Sequence, residues 1–162
     1  MPCAYEASVA EFVRAYETLR PEAALMTGQA ARRGVINVER IARNVDRASA
    51  PDNRGVWRSG VASVAHAPER LEATAPAQDV ARAIRRAGLD ARVSTNAGGY
   101  VCNHLHYGAL LYLRSESAAT RTVFLHLPAT PDQTPPRASK RRLATEDAAR
   151  ALKAAAAALV GE

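Results

Sequence analysis

The stretch S-T-N-A-G-G-Y-V-C-N-H-L-H-Y, residues 94–107, limits the possible folds of this chain more than any other. An extended run at 91–95, A-R-V-S-T, breaks at Ala97-Gly98-Gly99, and an apolar pattern of helical spacing then opens with Cys102 in its first turn. The order is strand, glycine turn, helix, with the helix expected over 100–113. Helix N-termini carry unsatisfied N–H groups and roughly half a positive charge, so a thiol there is expected to have its thiolate favoured and its pKa lowered. Cys102 is therefore placed like a nucleophile. Its other reading is a small buried hydrophobe on an apolar helix.

The remaining elements alternate. Val9, Phe12, Val13, Tyr16 and Leu19 recur at helical spacing and stop before Pro21, which predicts an amphipathic helix over Tyr5–Leu19. A short apolar run at 23–27 reads as a buried strand, and 35–45, rich in β-branched residues, reads as extended with a helix left open. Residues 50–75 show no sustained period and are expected to form a long surface connection, which holds Trp57 and His66 and no site residue. Residues 76–87 put Val80, Ala83, Ile84 and Ala87 on one helical face before Gly88. A buried strand follows at 121–128, then a loop at 129–140 and an alanine-rich helix at 144–160. This alternation predicts an α/β fold: a three-layer α/β/α sandwich with a mostly parallel, mixed sheet.

Composition suits one domain spanning residues 1–162: 48% of the residues are hydrophobic and 23% charged. No apolar run approaches the ~18 residues of a spanning helix, and no basic-then-apolar leader opens the chain. Cys3 and Cys102 make no disulfide framework, and a free nucleophilic thiol needs a reducing compartment, so a cytoplasmic location is expected. The net charge of +6, densest at Lys140-Arg141-Arg142 with Arg137 upstream, raises nucleic acid as a partner. Aromatics amount to 5% and none is interleaved with those basics, so a solvated basic surface is the default reading.

Glu39, between Val38 and Ile41, would by the general rule for charges be the solvent-facing residue of a strand. Three histidines bear on Cys102. His104 lies two residues on, about 200° around the helix, and cannot face the thiol. His106 lies four residues on, on the same face, and could approach it. Cys102 and His106 also have the spacing of a metal-ligand pair, but zinc needs further ligands and no second cluster exists, so a metal is not expected. His126 closes a strand just before Pro128, at the end where open α/β sheets carry catalytic groups.

The pattern S-x-x-A-G-x-Y-V-C-N followed by H and Y resembles the active-site signature of the type I pyroglutamyl peptidases, or pyrrolidone-carboxylate peptidases. Residues 28–53 resemble the family segment carrying the catalytic glutamate, and F-L-H-L-P at 124–128 the one carrying the catalytic histidine. The resemblance implies a cysteine omega-peptidase with the triad Cys102, His126 and Glu39. Such an enzyme removes an N-terminal pyroglutamate from a peptide substrate through a thioester, without a cofactor. It leaves His104 and His106 as helix-surface or packing residues.

Departures accompany the matches. The family's opening strand and G-F-x-P-F-G-G turn have no counterpart, and M-P-C-A-Y aligns with an internal family segment that usually begins Val-Pro. The expectation is that Met1 stands where a valine codon was read as a start, so that the domain is N-terminally incomplete. Ala31 replaces a family glycine, and Ser49 stands where an arginine usually precedes Ile-Pro-Asp-Asn, with Arg47 two residues earlier. Two other readings stay open: a truncated, inactive member that folds poorly or only as a homo-oligomer, and a basic nucleic-acid- or protein-binding module on the same scaffold.

Overall fold

The computed structural model describes residues 1–135 and 137–161. Four helices, α1 (Tyr5–Leu19), α2 (Ala77–Arg86), α3 (Val101–Ser115) and α4 (Thr145–Val160), accompany eight strands. The strands are β1 (Ala23–Gln29), β2 (Ile36–Glu39), β3 (Ile41–Arg43), β4 (Asp46–Arg47), β5 (Ser59–Val61), β6 (Arg70–Glu72), β7 (Ala91–Ser94) and β8 (Arg121–Leu127). The main sheet has the order β1-β8-β2-β7. β1 runs parallel to β8 and β2 parallel to β7, and the two pairs meet antiparallel at β2–β8. The mixed sheet expected from the sequence is therefore present, with its direction reversing at the centre.

Strand alternation sorts the core into two layers. Ile36, Val38, Val123 and Leu125 face one side and pack with Val80 and Ile84 of α2 and with Ala151, Ala155 and Leu159 of α4. The alanines of α4 combine high helix propensity with the small side chains that a close approach to α2 requires. On the opposite face Met26 and Phe124 pack against Phe12 and Tyr16 of α1 and Leu105, Ala109 and Leu113 of α3. Asn37, Glu39, Phe124 and His126 all lie on this second face, by the same parity that sends Val38 and Leu125 to the first.

The region 50–75 corrects the expectation of an irregular connection. β6 pairs antiparallel with β3 and β5 with β4, and Leu71 is buried against Ala42, Tyr107 and Leu110. These strands are two or three residues long and pair with segments read as part of a different stretch, so no local period marks them. Asp52 is buried too, accepting hydrogen bonds from the backbone N–H groups of Tyr5, Arg54 and Val56. Trp57 stays exposed, its indole N–H donating to the carbonyl of Ala48 at 2.9 Å. Among the described residues no helix is long and apolar enough to cross a membrane.

Candidate active site

The antiparallel seam brings two of the candidates together. Glu39 lies opposite Phe124 and Asn37 opposite His126, so Glu39 and His126 are diagonal neighbours on one face, within reach of long side chains. Glu39 Oε1 lies 2.9 Å from His126 Nδ1. Glu39 is fully buried and His126 nearly so, which overturns the solvent-facing reading of the carboxylate. Burial works against the charge, yet His126, the nearby Ser94 hydroxyl and the Arg33 guanidinium outweigh it and hold the Glu39 carboxyl below its ordinary range. An ionised Glu39 fixes the imidazole through Nδ1 and leaves Nε2 for chemistry.

Gly28 supplies the link to the thiol. It pairs in register with His126 across β1 and β8. A Cβ at this position would stand 2.8 Å from Cys102 Sγ and 2.9 Å from Phe124 Cζ, so only glycine lets the sulfur settle against the strand. The Phe124 ring packs on His126 with centroids 4.9 Å apart. Cys102 occupies the second position of α3, following Tyr100, whose side chain does not cap the helix. In this first turn the N–H groups of Asn103 and His104 donate to the Tyr100 carbonyl, at 3.0 and 3.2 Å, while those of Val101 and Cys102 precede any helix carbonyl that could accept them.

The expected lowering of the thiol pKa is corrected. Burial first, then the neighbouring Cys3 and, more weakly, the negative charge of Glu39 push Cys102 up to about 11. Desolvation of the thiolate outweighs the helix end, so the sulfur carries its proton at neutral pH and needs a base to lose it.

Neither remaining histidine of α3 lies on the surface. His104 is buried with its Nδ1 2.9 Å from Asp46 Oδ2, and the Tyr5 ring lies edge-on to it at 5.3 Å. His106 is fully buried against Phe124, neither ring nitrogen has a hydrogen-bond partner, and burial pushes its pKa down to about 4. Among the described residues no cluster of three or more His, Cys, Asp or Glu gathers as a metal site.

Two positioning residues escaped the sequence reading. Arg33 donates to Glu39 Oε1 and, at 2.6 Å, to the carbonyl of Asn96 in the glycine turn, tying the carboxylate to the loop before α3. A cation six residues ahead of a glutamate on an apolar run was the available signal. Asn103 is fully buried, accepts from Arg43 N–H and donates to the carbonyls of Arg43 and Val45, which fastens β3 and β4 to the start of α3. Its signal was a polar residue directly after the cysteine on an otherwise apolar face.

A buried carboxylate, an imidazole fixed by it and a thiol at a helix start, gathered on one sheet face, make up the equipment of a thiol hydrolase. Comparison with known proteins narrows the class. The sequence profile of the pyroglutamyl peptidase family matches residues 1–162, and the chain belongs to this family of cysteine peptidases. It is 39% identical over 155 residues to a pyrrolidone-carboxylate peptidase of Escherichia fergusonii, covering 96% of this chain and 72% of that protein. The crystal structure of pyroglutamyl peptidase I from Bacillus amyloliquefaciens superposes with a TM-score of 0.94 at 30% identity, covering 100% of this chain and 78% of the other. The pyrrolidone carboxyl peptidase of Thermococcus litoralis gives 0.93 at 28% identity, covering 99% and 76%. The chain is thus a hydrolase of the pyroglutamyl peptidase I type.

Proposed function

We propose that Cys102, His126 and Glu39 are the catalytic triad of this peptidase, acting as nucleophile, general base and orienting acid. The observation that carries the assignment is Gly28: one glycine contacts the Cys102 sulfur and pairs in register with His126, which Glu39 holds at 2.9 Å.

The resting thiol is protonated, so attack and proton transfer are coupled. Nε2 of His126 takes the thiol proton as sulfur bonds to the pyroglutamyl carbonyl carbon. The resulting oxyanion lies toward the N–H groups of Val101 and Cys102, which open α3. The C–N bond then breaks, the imidazolium returns its proton to the leaving amine, and a thioester remains. Water gives a proton to His126 as its oxygen attacks the thioester. The S–C bond breaks, and the proton passes to sulfur as pyroglutamate leaves. Glu39 keeps its charge throughout and stabilises the imidazolium. A cytoplasmic setting fits this chemistry, because both cysteines are free and Cys3 is exposed.

The test is release of a fluorogenic amine from pyroglutamyl-amide by the chain and by Cys102→Ala. Turnover that the substitution abolishes while the circular dichroism spectrum is unchanged supports the assignment; turnover that survives it overturns it.

A further inference from the structure

The cleft that Gly99 and Tyr100 line just ahead of α3 is cationic. An open cavity of about 660 Å³ is lined by Arg32, Arg33, Arg47, Ser49, Gly99 and Tyr100, among others. It adjoins a second, of about 490 Å³, that shares Arg47, Gly98 and Gly99 and adds Arg43. Among the described residues no carboxylate lines either cavity. Arg33 is committed to Glu39 and the Asn96 carbonyl. Arg32 and Arg47 are exposed and, among the described residues, make neither an ion pair nor a side-chain hydrogen bond.

The backbone under Arg47 is fixed. Its N–H donates to the Gly99 carbonyl at 2.7 Å, and a Cβ on Gly99 would stand 2.6 Å from the Arg47 carbonyl oxygen. The Arg47 backbone is therefore anchored two residues from the start of the nucleophile's helix. The pyroglutamyl ring is uncharged and terminal, so any negative charge that a substrate brings to this cleft belongs to the leaving peptide.

We propose that Arg32 and Arg47 form a carboxylate subsite, so that this peptidase prefers pyroglutamyl peptides whose next residue carries a negative charge. The inference rests on the triad reading above. The charge comes either from an acidic side chain or from the free α-carboxylate of a pyroglutamyl dipeptide. Guanidinium groups take both in the same two-pronged way. A charge farther along the peptide lies beyond the cleft, and at ordinary ionic strength is screened within about 8 Å.

The experiment compares kcat/KM for pyroglutamyl-Asp-amide, pyroglutamyl-Ala-amide, pyroglutamyl-Lys-amide, pyroglutamyl-Ala free acid and pyroglutamyl-Ala-Ala-Ala-Asp-amide, at low and high salt. The expected result is about tenfold selectivity for at least one substrate with a carboxylate on the first leaving residue, the size of one charge-assisted contact. The aspartate amide and the free acid separate the two sources of charge. In R32A/R47A the selectivity ratio falls to about twofold or less. Arg47→Glu turns the preference toward lysine, and Arg47→Lys restores part of the original ratio, outcomes that a folding defect does not produce. Equal rates for the charged and neutral substrates, equal preference for the distant aspartate, or full selectivity in R32A/R47A would each overturn the subsite. Absence of turnover on pyroglutamyl-Ala-amide would instead overturn the triad reading on which it stands.

Discussion

Two histidine–carboxylate pairs flank the start of α3, and their cores are nearly the same. His126 meets Glu39, and His104 meets Asp46, each through Nδ1 at 2.9 Å and each out of solvent. What differs is the surroundings. Asp46 is saturated: Ser63 donates to Oδ1 at 2.7 Å, Arg58 donates to Oδ2 at 2.6 Å, and His104 takes the same oxygen. Arg58 in turn binds Glu6 and lies over the Tyr5 ring at 4.7 Å, so the pair is a clasp between α1, β4 and α3. Glu39 has Oε2 free, and its histidine lies in register with the glycine that touches the sulfur. A histidine–carboxylate pair is therefore not a site in itself. The neighbour presented to the imidazole is what distinguishes the proposed one.

Substitution should separate the pairs sharply. His126→Gln should lower kcat by about three orders of magnitude, within the range of a lost general base, and leave the fold intact. His104→Gln should leave kcat within a few-fold and lower the denaturation midpoint instead, as expected when a buried charge network is broken. Comparable losses of kcat from both would dissolve the distinction. Glu39→Gln should lower kcat about a hundredfold by mis-orienting the imidazole. It should also flatten the acid side of the stability profile. The depressed Glu39 contributes stability above its unfolded pKa, and that stability is lost as pH falls through the folded one.

Gly28→Ala should cost about tenfold in kcat, since its Cβ would displace the sulfur and not the imidazole pairing. The raised thiol pKa makes a subtler difference. Protonated Cys102 contributes stability present below its ordinary value of 9.0 and lost as pH rises through about 11. Cys102→Ala should therefore show a shallower loss of denaturant midpoint across that window. The smallest effect concerns His106, whose unpartnered ring nitrogens are buried beside Phe124. His106→Phe should raise stability by about 1 kcal/mol, because replacing an unsatisfied polar group by an apolar one of similar shape removes a desolvation cost.

Much of this was legible in the chain. Tyr5–Leu19 is helical over the span that its apolar spacing and Pro21 define, and the strand, turn and helix around Gly98-Gly99 lie where the composition changes. Local period and local breakers carry such elements. The pairing of β3 with β6 and of β4 with β5 was not legible, because strands of two or three residues lack a period and their register depends on distant partners. The site divides along the same line. Cys102 has its glycine turn as a local signal, whereas the burial of Glu39 depends on β7 and β8 covering it. The direction of the thiol's shift was misjudged because a helix end is visible in sequence and the depth of burial is not. Asp46 reads as an ordinary surface acid until Arg58, Ser63 and His104 converge on it.

The central place of β8 also governs when the enzyme can exist during its own synthesis. β8 joins β1 to β2, and Thr122 bonds Ala24 across 98 positions of chain. A nascent polypeptide that has not yet released residues 121–127 from the ribosome lacks both the strand that unites the two halves of the sheet and the histidine that strand carries. Until then neither His126 nor the β8 strand that pairs with Gly28 beside Cys102 is in place. On the triad proposed above, proteolytic competence therefore waits for this strand, and α4 closes over the sheet only after it.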